Sequence, residues 1–96
     1  MTQTNDEIRQ LIDRAAMVLK AAGAREVYVF GSAARGLMRQ DSDIDLAVSG
    51  LPPEHFYRAG GAAEDAIGRP LDLIDLDEVT PFTQYLKEES ELQRVG

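Results

Sequence analysis

A glycine-serine pair and three aspartates are the residues of this chain whose types and spacing could support chemistry. The set consists of Gly31, Ser32, Asp43, Asp45 and Asp72. Glycine allows a ligand to approach the backbone closely, and a helix that begins at the serine would point free N–H groups at a phosphate. Aspartates two residues apart on a strand share one face, where their oxygens suit magnesium. The pattern therefore predicts a site for the phosphates of a nucleotide and their magnesium.

Each part of this pattern also has an ordinary structural explanation. The Gly31-Ser32 pair could be a strand-to-helix turn in which Ser32 caps the helix. Residues 41–43 could form an Asx-type turn on a solvated strand edge. That turn accounts for the first of its aspartates but not for Asp45, because aspartate is disfavoured in a strand that otherwise contains Ile, Leu, Ala and Val.

Asp72 stands inside the third apolar run, between Leu71 and Leu73. A carboxylate buried in an apolar strand needs a metal ion or a proton, so Asp72 is either a third metal ligand or a general base for a hydroxyl group. Without a cation, three crowded carboxylates would repel each other and hold protons more tightly. Asp75 and Asp77 are expected to lie in the solvated loop that follows.

Composition limits the class of protein. The chain has 96 residues, 44% of them hydrophobic and 28% charged, and we expect one globular domain over residues 1–96. Ten basic residues against seventeen acidic ones give a net charge of −7, and without a run of Lys or Arg direct nucleic-acid binding is not expected. There is no cysteine. No apolar run approaches the ~20 residues of a membrane span, so we expect a cytoplasmic protein that does not bind membranes.

Hydrophobic periodicity and turn residues divide the chain into alternating helices and strands. The predicted elements are a helix from about Asn5 to Gly23, a strand over 27–30, a short helix over 33–38, a strand over 44–48, a helix over 54–67, a strand over 71–75 and a helix from Pro81 to about Glu89. Residues 90–96 fit either a continued helix or a short edge strand. The Gly60-Gly61 pair predicts close backbone packing or a break. The alternation implies a small sheet covered by helices.

A lone histidine and two tyrosines are weaker candidates for a site. His55 has no second histidine to share a metal with, so we expect it to be structural or solvent-facing. Tyr57 and Tyr85 could contact a partner, but core or half-buried helix positions are the favoured prediction.

Three motifs resemble those of the minimal nucleotidyltransferases, which belong to the DNA polymerase β-like superfamily. They span residues 31–36, 42–46 and 69–74, and the resemblance extends over about residues 5–90. It implies an α/β (α+β) nucleotidyltransferase fold with a small mixed sheet of three to four strands flanked by helices. Members of this family often act as antitoxins beside an all-helical HEPN-domain partner, adding AMP to a hydroxyl group, usually that of a tyrosine.

The resemblance also assigns roles to the three aspartates. Asp43 and Asp45 would hold two magnesium ions, and Asp72 would join one of them and help to activate the acceptor hydroxyl. Two metals of this kind stabilise both the attacking and the leaving oxygen of an in-line displacement. ATP would be the substrate and pyrophosphate the leaving group.

The phosphate-binding roles fall to the first two motifs. Gly31 and Ser32 would bind the triphosphate. Arg35 could reach the phosphates from the first turn of the short helix, although a surface charge explains it equally well. Ser42 would orient the loop before Asp43 and complete the phosphate site.

Three functions remain open at this point. The first is a magnesium-dependent nucleotidyltransferase that moves AMP from ATP onto a hydroxyl of a partner protein, as a type VII-like antitoxin. The second is a non-catalytic antitoxin or binding module that neutralises its partner by forming a complex with it. In either case the chain could form a homo-oligomer or a hetero-oligomer. The third, an antibiotic adenylyltransferase, is disfavoured because so short a chain leaves little surface for an acceptor pocket.

Overall fold

The computed structural model describes residues 5–31, 43–89 and 92–95. In order, the elements are α1 (Asn5–Ala21), β1 (Glu26–Phe30), β2 (Ile44–Ser49), a 3₁₀ turn (Pro53–His55), α2 (Phe56–Ile67), β3 (Leu71–Asp75), α3 (Pro81–Glu88) and β4 (Gln93–Arg94). The short helix predicted over 33–38 lies outside the described residues. Every other predicted element is present.

The four strands form one mixed sheet in the order β3-β2-β1-β4. β2 runs parallel to β3, whereas β1 runs antiparallel to both β2 and β4. Parallel neighbours need a helical crossover, which here is α2. β4 pairs with β1 opposite Tyr28 and Val29, so the edge-strand alternative for the end of the chain is correct. The predicted α/β fold with a small mixed sheet is confirmed.

The main core lies between one face of the sheet and helices α1 and α2. Its largest fully buried side chains are Leu19, Ile44, Leu46, Val27 and Val48. The alternation of β2 places Ile44, Leu46 and Val48 in this core. Burial of such side chains stabilises the fold by about 1.5–3 kcal/mol each, and it fixes the strand register, because a slip of one residue would expose them all.

Helix α3 covers part of the opposite face of the sheet. Leu86 packs there with Phe30, Ala47 and Leu76 in a second, smaller cluster. The helix begins at a reciprocal cap, in which the Thr80 hydroxyl accepts the Thr83 N–H at 3.1 Å while the Thr83 hydroxyl accepts the Thr80 N–H at 3.0 Å. The predicted start of this helix is therefore confirmed.

Helix α2 differs in two respects from its prediction. It begins at Phe56 because Pro53–His55 form a 3₁₀ turn. The Gly60-Gly61 pair neither breaks the helix nor packs tightly: a Cβ on Gly60 would make an ordinary 3.5 Å contact with Leu73, and a Cβ on Gly61 would meet nothing within 4 Å. Among the described residues, no helix is long and apolar enough to cross a lipid bilayer.

Candidate active site

Three aspartates lie near the amino-terminal ends of β2 and β3, two neighbouring parallel strands. In the pairing of β2 with β3, Asp45 is directly opposite Asp72. Asp43 immediately precedes β2, two residues before Asp45, so the two lie on the same side of the chain. Asp43 and Asp72 are exposed and Asp45 is half-buried. The structure thus places the three acidic residues that the sequence singled out at the same end of two adjacent strands.

The apolar neighbours of Asp45 explain why its carboxylate faces away from the main core. Ile44 and Leu46 are both fully buried at 0% exposure, and they belong to the cluster beneath α1 and α2. Since successive side chains of a strand alternate between faces, Asp45 must point to the opposite face. Burial of the two neighbours therefore presents the carboxylate on the site face.

Gly31 lies directly against the Asp45 carboxylate. Phe30 is the partner of Asp45 across the β1–β2 pair, so the chain turns at Gly31 immediately beside this side chain. Gly31 has φ of +70°, and a Cβ placed on it would overlap the Asp45 Oδ2 atom and come within 3.3 Å of Cγ. Only glycine combines this backbone conformation with this proximity. The turn therefore requires glycine, because the Asp45 side chain lies against it; its approach to a ligand stays a prediction.

The environment of Asp45 disfavours the ionised form of its carboxyl group. Burial raises the pKa of Asp45 above its usual value, and the charges of Asp72 and then Asp43 raise it further. The prediction that crowded carboxylates hold a proton more tightly is confirmed for Asp45, with burial as the larger cause. A charge of opposite sign at this position would relieve the repulsion.

The donor set of the site suits a hard divalent cation. All three groups are carboxylates, the ligands that magnesium prefers and supplements with water and phosphate oxygens. Within the described ranges, no three acidic or histidine side chains already enclose a space of metal size. Like charges without a cation repel each other, so an open arrangement is expected for these residues. The residues fit magnesium by charge and by chemistry.

One expectation for Asp72 is wrong. The sequence places it in an apolar strand and predicts a buried carboxylate, but the side chain is exposed. The reason is topological, since β3 is the edge strand of the sheet and Asp72 alternates with Leu71 and Leu73, which pack against the main core. Exposure makes Asp72 accessible to a molecule that arrives from solvent.

Three of the predicted phosphate-binding residues cannot be placed in the site. Ser32, Arg35 and Ser42 lie outside the described residues, and their roles stay predictions.

Asp77 has a structural role that the sequence did not indicate. Its carboxylate accepts the Gly50 N–H at 2.7 Å and the Ser49 hydroxyl at 3.1 Å, while its own N–H donates to the Asp75 carboxylate at 2.9 Å. These bonds tie the end of β3 to the end of β2. An aspartate two residues after another at the end of a strand is typical of an Asx turn. This spacing was the feature of the sequence from which the turn could have been predicted.

The histidine and the tyrosines have mixed outcomes. His55 is exposed, with Nδ1 3.4 Å from the Ala22 carbonyl oxygen, as expected. A core or half-buried position was predicted for both tyrosines. This is wrong for Tyr57, whose side chain is 88% exposed, whereas the side chain of Tyr85 is 51% exposed. Tyr57 follows the 3₁₀ turn at the start of α2 and contacts the ring of Phe56, at 5.4 Å between centroids.

A family model described as "Polymerase beta, Nucleotidyltransferase" matches residues 15–92. This range contains Gly31 and all three aspartates of the site. Among curated protein sequences, none matches the chain significantly.

Solved structures share the fold at low sequence identity. A protein assigned as a minimal nucleotidyltransferase is 24% identical with a TM-score of 0.75, over 98% of this chain and 96% of the other. A toxin–antitoxin structure with AMP-PNP gives 21% and 0.70, over 85% and 69%. A complex of a tri-AMPylated HEPN toxin with an MNT antitoxin from Shewanella oneidensis gives 20% and 0.63, over 90% and 70%.

Proposed function

The chain belongs to the polymerase beta-type nucleotidyltransferase family, and on that basis we propose that it transfers AMP from ATP to a hydroxyl group of a partner protein. The observation that carries this proposal is the register of β2 and β3, which pairs Asp45 with Asp72 beside the turn at Gly31. Carboxylates that could hold a divalent cation and a glycine turn that could bind phosphates therefore lie at the same end of the sheet. That combination matches the chemistry of nucleotide transfer.

Asp43, Asp45 and Asp72 are the residues that would hold magnesium. When bound, magnesium supplies the positive charge that stabilises the attacking and leaving oxygens of a phosphoryl displacement. The chain's own contribution is to fix the backbone of Asp45 and Asp72 on two hydrogen-bonded strands, so that only side-chain movement is needed to bring the carboxylates onto the ion. Burial raises the pKa of Asp45, and the charges of Asp72 and Asp43 raise it further; a cation at the site would offset the repulsion.

Gly31 would admit the triphosphate close to the backbone, with Ser32, Arg35 and Ser42 as further phosphate-binding residues. The absence of a Cβ at Gly31 leaves room for the Asp45 carboxylate directly against the turn. The acceptor oxygen attacks the α-phosphorus, a new P–O bond forms, and the bond to pyrophosphate breaks.

Asp72 is suited to receive the proton of the acceptor hydroxyl. Its side chain is exposed on the edge strand, so an acceptor that approaches from outside the domain reaches Asp72 before it reaches half-buried Asp45. In this proposal the proton that leaves the hydroxyl passes to the Asp72 carboxylate as the new bond forms.

A partner protein is the proposed acceptor. Residues 1–96 are proposed to form one catalytic domain. Relatives of this fold include an MNT antitoxin in complex with a tri-AMPylated HEPN toxin and a toxin–antitoxin complex with an ATP analogue. We infer that this chain is an antitoxin that modifies a HEPN-type toxin. A HEPN protein sought among the adjacent genes would be the partner for the test.

The test is transfer of label from [α-³²P]ATP to the purified HEPN partner. We expect labelling with magnesium, no labelling with EDTA, and a loss of at least 100-fold in the Asp45→Asn variant, because removal of one charge-stabilising group commonly costs about 10²–10³ in rate. The Asp13→Asn variant, which changes an exposed carboxylate on α1, should label normally.

Unchanged labelling by Asp45→Asn would refute the assignment of the site. Neutralisation of the toxin without any labelling would instead support the non-catalytic antitoxin that the sequence left open.

A further inference from the structure

A long groove follows the outer edge of β3, and its lining does not include the three aspartates of the site. Two adjoining cavities of about 410 and 320 Å³ form it. They share Phe56, Tyr57 and Leu73, so the groove runs from α2 across the edge strand toward Phe82 on α3. The chemistry described above does not use this surface.

The floor of the groove is an exposed strand edge. The Ile44 N–H donates to the Pro70 carbonyl, and the Leu76 N–H donates to the Val48 carbonyl. In a parallel pair, alternate residues bond to the same neighbour, so the even-numbered residues of β3 face β2 and the backbone of Leu73 faces outward. A strand edge of this kind can pair with a further strand.

The backbone at both ends of this edge already forms hydrogen bonds, so an added strand could pair only with the middle of the edge. The Leu71 N–H donates to the Glu64 carboxylate at 3.1 Å. At the other end, the Glu78 N–H donates to the Asp75 carbonyl at 3.2 Å. Leu73 remains between them, at the point where the two cavities meet.

The glycine pair of α2 keeps one wall of the groove open. Gly60 and Gly61 both line the smaller cavity, and each costs the helix about 1 kcal/mol relative to alanine. The fold does not require this cost, because a Cβ would make only an ordinary contact at Gly60 and none at Gly61. Side chains at these positions would fill the space beside the strand edge.

Exposed rings and carboxylates define what the groove could bind. Tyr57 is 88% exposed and Phe82 is 47% exposed, and aromatic side chains of this kind are typical anchors of interfaces. The acidic residues of the lining are Glu64, Asp75 and Glu78. A second copy of this chain would bring its own carboxylates against them, with a net charge of −7 on each chain. Charge complementarity therefore favours a basic segment of a different protein.

We propose that this groove docks an extended, basic segment of the partner protein, which pairs with the edge of β3 and lays apolar side chains against Tyr57 and Phe82. This inference rests on the proposed function and deepens it, since the partner is the acceptor. Asp72 lies on the same strand, next to Leu73. A segment paired along β3 therefore passes beside the carboxylate that is to receive the proton of the acceptor hydroxyl.

A matched pair of substitutions on α2 tests the groove without damage to the core. Glutamine at position 61 would project into the smaller cavity, whereas Ala62, which is also exposed, lines neither cavity. Glutamine is a better helix former than glycine, so Gly61→Gln should fold at least as stably as the wild type. We expect Gly61→Gln to weaken the complex with the HEPN partner at least tenfold, measured by calorimetry, and Ala62→Gln to change it less than twofold.

Two further substitutions test whether the groove binds an apolar and basic segment. Tyr57→Ala should weaken the complex at least tenfold, with Met17→Ala as the control, since Met17 is 73% exposed on α1. Glu78→Lys should weaken it at least tenfold and reduce its dependence on salt. In the complex, exchange of the Leu73 amide proton with deuterium should slow at least tenfold, because pairing protects that N–H.

The outcomes separate this inference from the proposed function. Binding that is unaffected by Gly61→Gln, Tyr57→Ala and Glu78→Lys would overturn the groove as the docking surface, even if AMP transfer is normal. An unprotected Leu73 amide would overturn the strand pairing. Self-association of the free chain that Glu78→Lys strengthens would identify a second copy as the occupant instead. Absence of any complex with the wild-type chain would overturn the inference together with its proposed partner.

Discussion

Replacement of Asp45 by asparagine should stabilise the metal-free protein at neutral pH. Burial and the charges of Asp72 and Asp43 raise the pKa of Asp45, so the folded protein holds this proton more tightly than the unfolded chain does. The stability that protonation contributes is complete below the unfolded pKa of about 3.9, and it is lost as the pH rises through the folded value. At pH 7 the ionised carboxylate is therefore a cost to the fold.

The magnitude follows from the cross-strand geometry. Asp45 and Asp72 are direct partners on neighbouring strands, and charged pairs at such positions change stability by about 0.2–1 kcal/mol. Partial exposure of Asp45 to solvent screens the repulsion, so we expect a gain of about 0.5 kcal/mol at pH 7. For a domain of 96 residues this corresponds to an increase in Tm of about 2–4 °C.

Thermal unfolding followed by circular dichroism in EDTA, between pH 3.5 and 7.5, measures this effect. The gain of Asp45→Asn over the wild type should be largest at neutral pH and should vanish near pH 3.5, where the wild-type carboxyl is protonated. Asp13→Asn, in the middle of α1 and exposed, should show no such trend. A variant less stable than the wild type at pH 7, or a gain independent of pH, would refute the electrostatic account.

Magnesium should reverse the order of the two proteins. A ligand at ten times its Kd stabilises the folded state by about 1.4 kcal/mol. Addition of magnesium at such a concentration should therefore raise the Tm of the wild type and leave that of Asp45→Asn almost unchanged. Equal responses of the two proteins would show that the ion binds elsewhere.

Three further substitutions test other parts of the structure. Gly31→Ala forces a side chain against the Asp45 carboxylate at positive φ, so it should cost about 1–3 kcal/mol in urea unfolding and abolish AMP transfer; a fully active variant would contradict the close-approach role. Thr83→Val removes the hydroxyl that donates at 2.7 Å to a backbone carbonyl in a buried position, and a loss of about 1–2 kcal/mol is expected; a loss below 0.3 kcal/mol, on the order of measurement error, would argue against the cap. Asp77→Ala leaves the Gly50 N–H without its acceptor and should lower stability by about 1 kcal/mol, with proteolysis between β2 and α2 as a second readout; unchanged cleavage would contradict the proposed tie.

The arrangement of helices and strands could be predicted from sequence because local signals were strong. The apolar run of β1, the alternation around Asp45 and the proline after Thr80 each predict an element or its boundary without reference to tertiary structure. The end of the chain was ambiguous because β4 has only two residues, and its pairing with β1 depends on a neighbour that is distant in sequence.

The candidate site residues were recognisable in the sequence for a different reason. Asp45 interrupts an apolar strand, and that irregularity had no structural explanation in the sequence. The exposure of Asp72, however, depends on the position of β3 at the sheet edge, which strand propensities do not determine. The same edge position exposes the groove at Leu73, and with it Tyr57, for which a core or half-buried position was the favoured prediction.

The proposed function depends on one physical claim, that the carboxylates of Asp43, Asp45 and Asp72 together hold a divalent cation. Anomalous scattering from crystals grown with manganese and a non-hydrolysable ATP analogue tests it most directly, because manganese takes the same oxygen ligands as magnesium. The predicted result is an anomalous peak in contact with these carboxylates and with phosphate oxygens near Gly31. Nucleotide bound there without a peak, or a peak remote from all three aspartates, would contradict the claim.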